Sequence, residues 1–109
     1  MSHSNTYLAI HIIFATKKRI PMIPQSRAKE LHAVIGQLIN ESGGKTILVG
    51  GTRDHVHAAL LLQADASVTA LVRQIKSNSS RWITRNAGIL GRFELQGGIL
   101  RAVGKPLAG

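Results

Sequence analysis

The chain has 109 residues, enough for one hydrophobic core and too few for two, so a single domain over residues 1–109 is expected. Hydrophobic residues make up 44% and charged residues 17%, a globular balance that excludes a disordered or low-complexity chain. Fourteen Lys and Arg against five Asp and Glu leave a formal net charge of +9, which points to a polyanionic partner, most often nucleic acid. The alternative is a merely basic soluble domain, and the placement of the charges has to separate the two. No apolar run approaches the ~20 residues of a membrane helix. The polar start, Met1–Asn5, lacks the layout of a signal peptide. With no cysteine either, the reading is a cytoplasmic protein without a membrane segment.

In chain order, Tyr7 to Thr16 reads as a strand, with Leu8, Ile10, Ile12 and Phe14 on one face and Ala9, His11, Ile13 and Ala15 on the other. Lys17-Lys18-Arg19 forms a basic edge, and Pro21 and Pro24 mark a loop. Ser26 is the expected N-cap of a helix whose apolar positions, Leu31, Val34, Ile35, Leu38 and Ile39, recur at helical spacing. Gly43-Gly44 ends it. Thr46–Val49 is a short strand, Gly50–Asp54 a turn of about five residues, and His55–Gln63 the returning strand of a hairpin. After Asp65-Ala66-Ser67, a second helix carries Val68, Leu71, Val72, Ile75, Ser79, Trp82 and Ile83 at helical spacing to about Asn86-Ala87-Gly88. Gly98–Val103 is a candidate fourth strand. The order β-α-β-β-α-β predicts an α+β, ferredoxin-like fold: a four-stranded antiparallel sheet, first and third strands central, both helices on one face.

His55 and His57 are two apart on a strand, so both face the same way, opposite the apolar set Val56, Ala58, Leu60 and Leu62. They should therefore lie on the open face of the sheet, with His11 beside them. Two imidazoles so placed can bind one divalent cation if another element adds a third ligand. The same spacing also suits two plain surface histidines. On the second helix, Arg73, Lys76, Ser77, Ser80, Arg81, Thr84 and Arg85 lie off the apolar seam, with no acidic residue between Asp65 and Glu94. Cations mixed with hydroxyls suit phosphate oxygens, whereas a face built for solubility mixes signs. Trp82 reads as core rather than as a base-stacking platform.

Four stretches in order carry a resemblance: His11-Ile12-Ile13-Phe14-Ala15-Thr16-Lys17-Lys18-Arg19, then Asp54-His55-Val56-His57, then Leu71 to Ile83, then Phe93-Glu94-Leu95-Gln96-Gly97. Over roughly Thr6 to Gly97 the chain resembles the single-tyrosine HUH transposases of small bacterial insertion sequences and their REP-associated relatives. The resemblance implies a dimeric, ferredoxin-like domain that binds single-stranded DNA, often as a hairpin. It implies Mg²⁺ or Mn²⁺ at His55 and His57, and DNA contacts from Lys17, Arg19, Arg73, Lys76, Ser77, Ser80 and Arg81. In the family the metal polarises the scissile phosphate, and a tyrosine attacks to give a 5′-phosphotyrosine that a second attack resolves during transposition.

The tail differs from the family. The family tyrosine and a further metal ligand lie on a helix after the fourth strand, whereas residues 98–109 here diverge and contain no tyrosine. The sole tyrosine, Tyr7, matches no catalytic position and reads as structural. Gln96 offers one alternative metal donor. The expectation is a C-terminally truncated member with no catalytic nucleophile, which binds DNA without cleaving it. Alternatives are an active transposase, which requires a tyrosine from elsewhere, a regulator acting through mixed dimers, a plain dimerising domain, or an RNA-binding module, the last disfavoured by the scarcity of sheet aromatics.

Overall fold

The first strand shows how the sequence pattern becomes architecture. Ile10, Ile12, Phe14 and Thr16 are buried while His11, Ile13 and Ala15 between them are only half-buried, so one face of the strand is covered and the other is open. The computed structural model describes residues 6–86 and 95–108; for 95–108, and for Arg19, it describes the backbone alone. Its elements are β1 (Thr6–Thr16), two 3₁₀ turns (Lys17–Arg19 and Gln25–Arg27), α1 (Ala28–Glu41), β2 (Gly44–Gly51), β3 (His55–Gln63), α2 (Val68–Asn86) and β4 (Leu95–Ala108). The result is an α+β fold with an antiparallel sheet and two helices, as expected. The sheet order is β2-β3-β1-β4, so β1 and β3 are central neighbours.

Both helices pack on the same face. Leu31, Ile35 and Ile39 of α1 and Leu71, Ile75 and Ile83 of α2 join Ile10, Ile12, Phe14, Val56, Ala58, Leu60 and Leu62 in one core cluster. Burying each large apolar side chain contributes about 1.5–3 kcal/mol, so this alternation fixes which way every residue of β1 and β3 faces. The helices run antiparallel, α1 against β2 and α2 toward β4, tied where Ser42 Oγ donates to Gln74 Oε1 at 3.1 Å. Trp82 is half-buried against the core edge.

Several expected boundaries move. Ser26 does not cap α1: it lies in the second 3₁₀ turn, and Arg27 occupies the cap position without a side-chain cap bond. Arg27 instead pairs with Glu30 at 3.0 Å, an i,i+3 contact across the first turn. The second helix is capped as expected, with Ser67 Oγ accepting from the Ala70 N–H at 3.1 Å. α1 ends at Glu41, and Gly43, at φ 88°, supplies the left-handed turn that leads into β2. β2 spans eight residues, longer than expected, because Gly44, Lys45, Gly50 and Gly51 all pair with β3. The connecting turn thereby shrinks to Thr52, Arg53 and Asp54. Gly51 is held at φ 151°, and a Cβ there would collide with the His55 carbonyl oxygen, so the tight hairpin requires glycine. The fourth strand starts earlier and ends later than the Gly98–Val103 stretch.

Candidate functional site

β3 places the histidines as its alternation dictates. Val56 and Ala58 are fully buried, while His55 and His57 are half-buried on the opposite, uncovered side. Residues paired across an antiparallel ladder share a face, so Ala15 and Ile13, the β1 partners of His55 and His57, and His11 lie on the same side. The His11 and His57 rings meet edge-on with centroids 5.5 Å apart, and the His11 Nε2 is buried without a hydrogen-bond partner. His55 and His57 have ring centroids 6.2 Å apart, tilted by 30°. On β2 the partner of His57 is Gly50, and a Cβ at Gly50 would come within 3.2 Å of His57 Nε2, so the ring leans over a position that carries no side chain.

The turn before His55 is heavily braced. The Asp54 carbonyl accepts from the Thr16 N–H at 2.8 Å, and the Arg53 carbonyl accepts from the Ile23 N–H at 3.0 Å. These bonds hold the end of β1 and the exposed Lys17 beside the histidine end of β3. Arg19 follows in the same 3₁₀ turn, its side chain outside the described residues. The Asp54 and Thr52 side chains both reach the His55 ring, at 3.0 Å and 2.9 Å from Nδ1.

A divalent ion is the group expected here, and the two imidazoles supply suitable donors on one face. At metal–nitrogen distances of about 2.0–2.1 Å, two imidazoles in adjacent coordination positions have centroids roughly 4.5–5 Å apart, so the rings, 6.2 Å apart as they stand, would have to turn toward each other to share an ion. His55 Nδ1 is engaged, which leaves its Nε2 for a ligand. Among the described residues no three His, Cys, Asp or Glu side chains are grouped to enclose an ion, so the pair is a partial donor set. On β4, Gln96 pairs with Ala15, which places it level with His55 across β1 in backbone register; its side chain is not described. Phe93 and Glu94 lie outside the described residues.

The cationic helix does not lie beside the histidines. α2 covers the apolar face of the sheet, and the imidazoles project from the other, so the sheet stands between them. Sequence periodicity put each set on its own face correctly; what it lacked was which sheet face the exposed side of α2 could share. The α2 residues also divide. Gln74 marks the side toward α1, and Arg81 and Arg85 line the groove between the helices with Trp82, Asn78 and Glu41. Lys76 stands about 160° round the helix from Gln74, on the far flank, with Ser80 and the exposed Arg73, while Ser77 is exposed between the two sets. Tyr7 is remote as well. It pairs with Gln63 at the opposite end of β1, roughly 20 Å from the Ile13–His57 pair at about 3.4 Å per residue, and Lys45 Nζ sits 4.6 Å over its ring.

One titratable group was missed in the sequence. His32, on α1, is held below the ordinary histidine value of 6.5 by burial and, second, by repulsion from His57; its Nε2 is buried without a partner. It occupies the partly buried shoulder of the α1 stripe, one residue after Leu31, where the helical pattern alone gives no sign of another imidazole nearby.

The family model described as "Transposase IS200 like" matches residues 4–98. The chain belongs to the IS200-like transposase family. Among solved structures it is similar to a candidate transposase from Deinococcus radiodurans R1, with a TM-score of 0.68 and 22% identity, covering 75% of this chain. That likeness concerns the fold, and this chain spans 64% of the other's length. No curated protein matches the chain. Among the described residues no helix is long and apolar enough to cross a membrane.

Proposed function

We propose that the chain is a single-stranded-DNA-binding domain of an IS200-like transposase, in the ferredoxin-like arrangement, acting in the cytoplasm on a hairpin-bearing strand. The observation that supports this most is the family match over residues 4–98 together with a His-Val-His pair facing the open side of the sheet. His55 and His57 would hold Mg²⁺ or Mn²⁺, which when bound supplies Lewis-acid polarisation of a phosphate. Lys17 and Arg19, in the turn beside them, attract and orient the phosphate by charge. Arg73, Lys76, Ser77, Ser80 and Arg81 contact the backbone of DNA on the helical side, a second surface that a folded strand reaches round the sheet edge. Family members join strands through a phosphotyrosine. Within these 109 residues Tyr7 is the sole tyrosine, and it lies too far along β1 from the histidine pair to attack a phosphate held there. On this reading these residues bind DNA without cleaving it.

The test is incubation of the chain with a labelled hairpin-bearing single strand and Mn²⁺. Retarded complexes that weaken steeply with salt, and no adduct on a denaturing gel, are expected. Absence of binding at low salt removes the proposal, and a covalent adduct removes its non-catalytic part. A second reading, a regulator acting through homodimers or mixed dimers, is favoured by the edge strand β2, where Ile47 and Leu48 are 61% and 59% exposed around a register shift. Sedimentation of the chain against a Leu48→Lys variant tests it: a dimer that the substitution splits is expected, and a monomer throughout removes this reading.

A further inference from the structure

Three side chains converge in the turn that precedes the histidine pair. Thr52 Oγ1 is 2.9 Å from Asp54 Oδ1 and 2.9 Å from His55 Nδ1, and His55 Nδ1 is 3.0 Å from Asp54 Oδ1. The Asp54 N–H also approaches Thr52 Oγ1 at 3.4 Å, and the Thr52 N–H donates to the His55 carbonyl at 2.9 Å, so the backbone itself holds the triangle together. The side chains of His55 and Asp54 are 28% and 30% exposed, which shields these bonds partly from water.

Counting protons leaves one consistent arrangement. A carboxylate only accepts, and the Thr52 hydroxyl has a single proton. If His55 Nδ1 carried a lone pair, that pair would face the Asp54 carboxylate at 3.0 Å, acceptor against acceptor. With the proton on Nδ1, the ring donates to Asp54 Oδ1 and toward Thr52 Oγ1, and the Thr52 hydroxyl donates to Asp54. Each of the three contacts of the triangle is then satisfied. The neutral ring must keep its lone pair on Nε2, although free histidine favours the opposite tautomer.

We propose that Asp54, assisted by Thr52, is a positioning residue that fixes His55 as the Nδ1–H tautomer and presents its Nε2 lone pair on the open face to a divalent cation. The cation itself rests on the function proposed above; the tautomer does not. A ligating imidazole whose other nitrogen donates to a carboxylate is oriented and made a better donor, and loss of such a partner costs about 10–100-fold in metal affinity. His57 has a different environment, the rings of His11 and His55, and so serves as an internal reference.

The experiment is two-bond ¹H–¹⁵N correlation of the histidine rings in the full chain, free of metal and DNA, near pH 8, well above the ordinary histidine value of about 6.5. The expected result is His55 in the Nδ1–H form, shifting toward Nε2–H in Asp54→Ala. Asp54→Asn, which keeps an acceptor oxygen, restores the Nδ1–H form in part. The amide of Thr16, bonded to the Asp54 carbonyl, reports that the turn is intact in each variant. Mn²⁺ affinity, read by water-proton relaxation, should fall about 10–100-fold in Asp54→Ala. His55 in the Nε2–H form in the unmodified chain, or an Nδ1–H form that survives in the Asp54→Ala, Thr52→Val double variant, overturns the proposal. Because the tautomer is read without metal or nucleic acid, failure of DNA binding leaves this result standing, and the reverse also holds.

Discussion

β3 carries two sets of side chains under opposite constraints. Val56, Ala58, Leu60 and Leu62 are buried beneath α1 and α2, while His55, His57, Ala59 and Leu61 face the open side of the same nine-residue strand. The covered face is held by many mutually packed apolar groups, so its information is distributed. The open face depends on a few polar contacts made by single residues, the Asp54–Thr52–His55 triangle above all. Stability and register are therefore set on one side of the sheet, and the chemistry is free to occupy the other, one residue away along the chain.

The largest separation of the two faces should come from truncating each in turn. Phe14→Ala removes a fully buried ring and should cost about 3–5 kcal/mol in urea unfolding. His57→Ala, on the half-buried side, should cost less than about 1 kcal/mol. Comparable losses would mean that the open face is structural. Gly51→Ala comes next, because its Cβ collides with the His55 carbonyl; roughly 1–3 kcal/mol should be lost, with the damage concentrated at the histidine end of the hairpin in hydrogen exchange. Removing charge on α2 should leave stability alone and act on the partner. Arg73→Ala and Lys76→Ala should each flatten the salt dependence of single-strand binding by about 0.7 in log–log slope, and an unchanged slope would free that helix face from the interface.

The smallest effect is on pH dependence. His32 is kept neutral in the fold below its ordinary value of 6.5, chiefly by burial, whereas the unfolded chain takes up a proton there. The unfolded state then binds more protons, so stability holds above pH 6.5 and declines as pH falls below it toward the lowered folded value. Unfolding of His32→Gln across this window should show a shallower acid slope than the unmodified chain. An identical slope would assign the acid sensitivity elsewhere.

Much of this division is legible in the sequence because period-two patterning is strong in β1 and β3. Both faces of β3, its ends, and the span of α2 follow from alternation and helical spacing alone. β2 resists the same reading: glycines at both ends hide its true length, and the register shift near Ile47 breaks its alternation. The start of α1 is displaced because a 3₁₀ turn absorbs Ser26 before the helix begins. The separation of the histidines from α2 was already contained in the expected layers, with both helices on one face of the sheet and the imidazoles on the other. The Thr52–Asp54–His55 triangle is set by side-chain rotamers within the turn, which the spacing of residues does not state.

The claim on which the rest depends is that His55 and His57 act together as donors on the open face. Titrating Mn²⁺ into the ¹⁵N-histidine chain tests it most directly. Paramagnetic broadening should reach the His55 and His57 rings together and before His32, and should vanish from His55 in His57→Ala at the same Mn²⁺ concentration. Broadening that begins at His32, or that persists unchanged at His55 once the second imidazole is gone, would contradict the account.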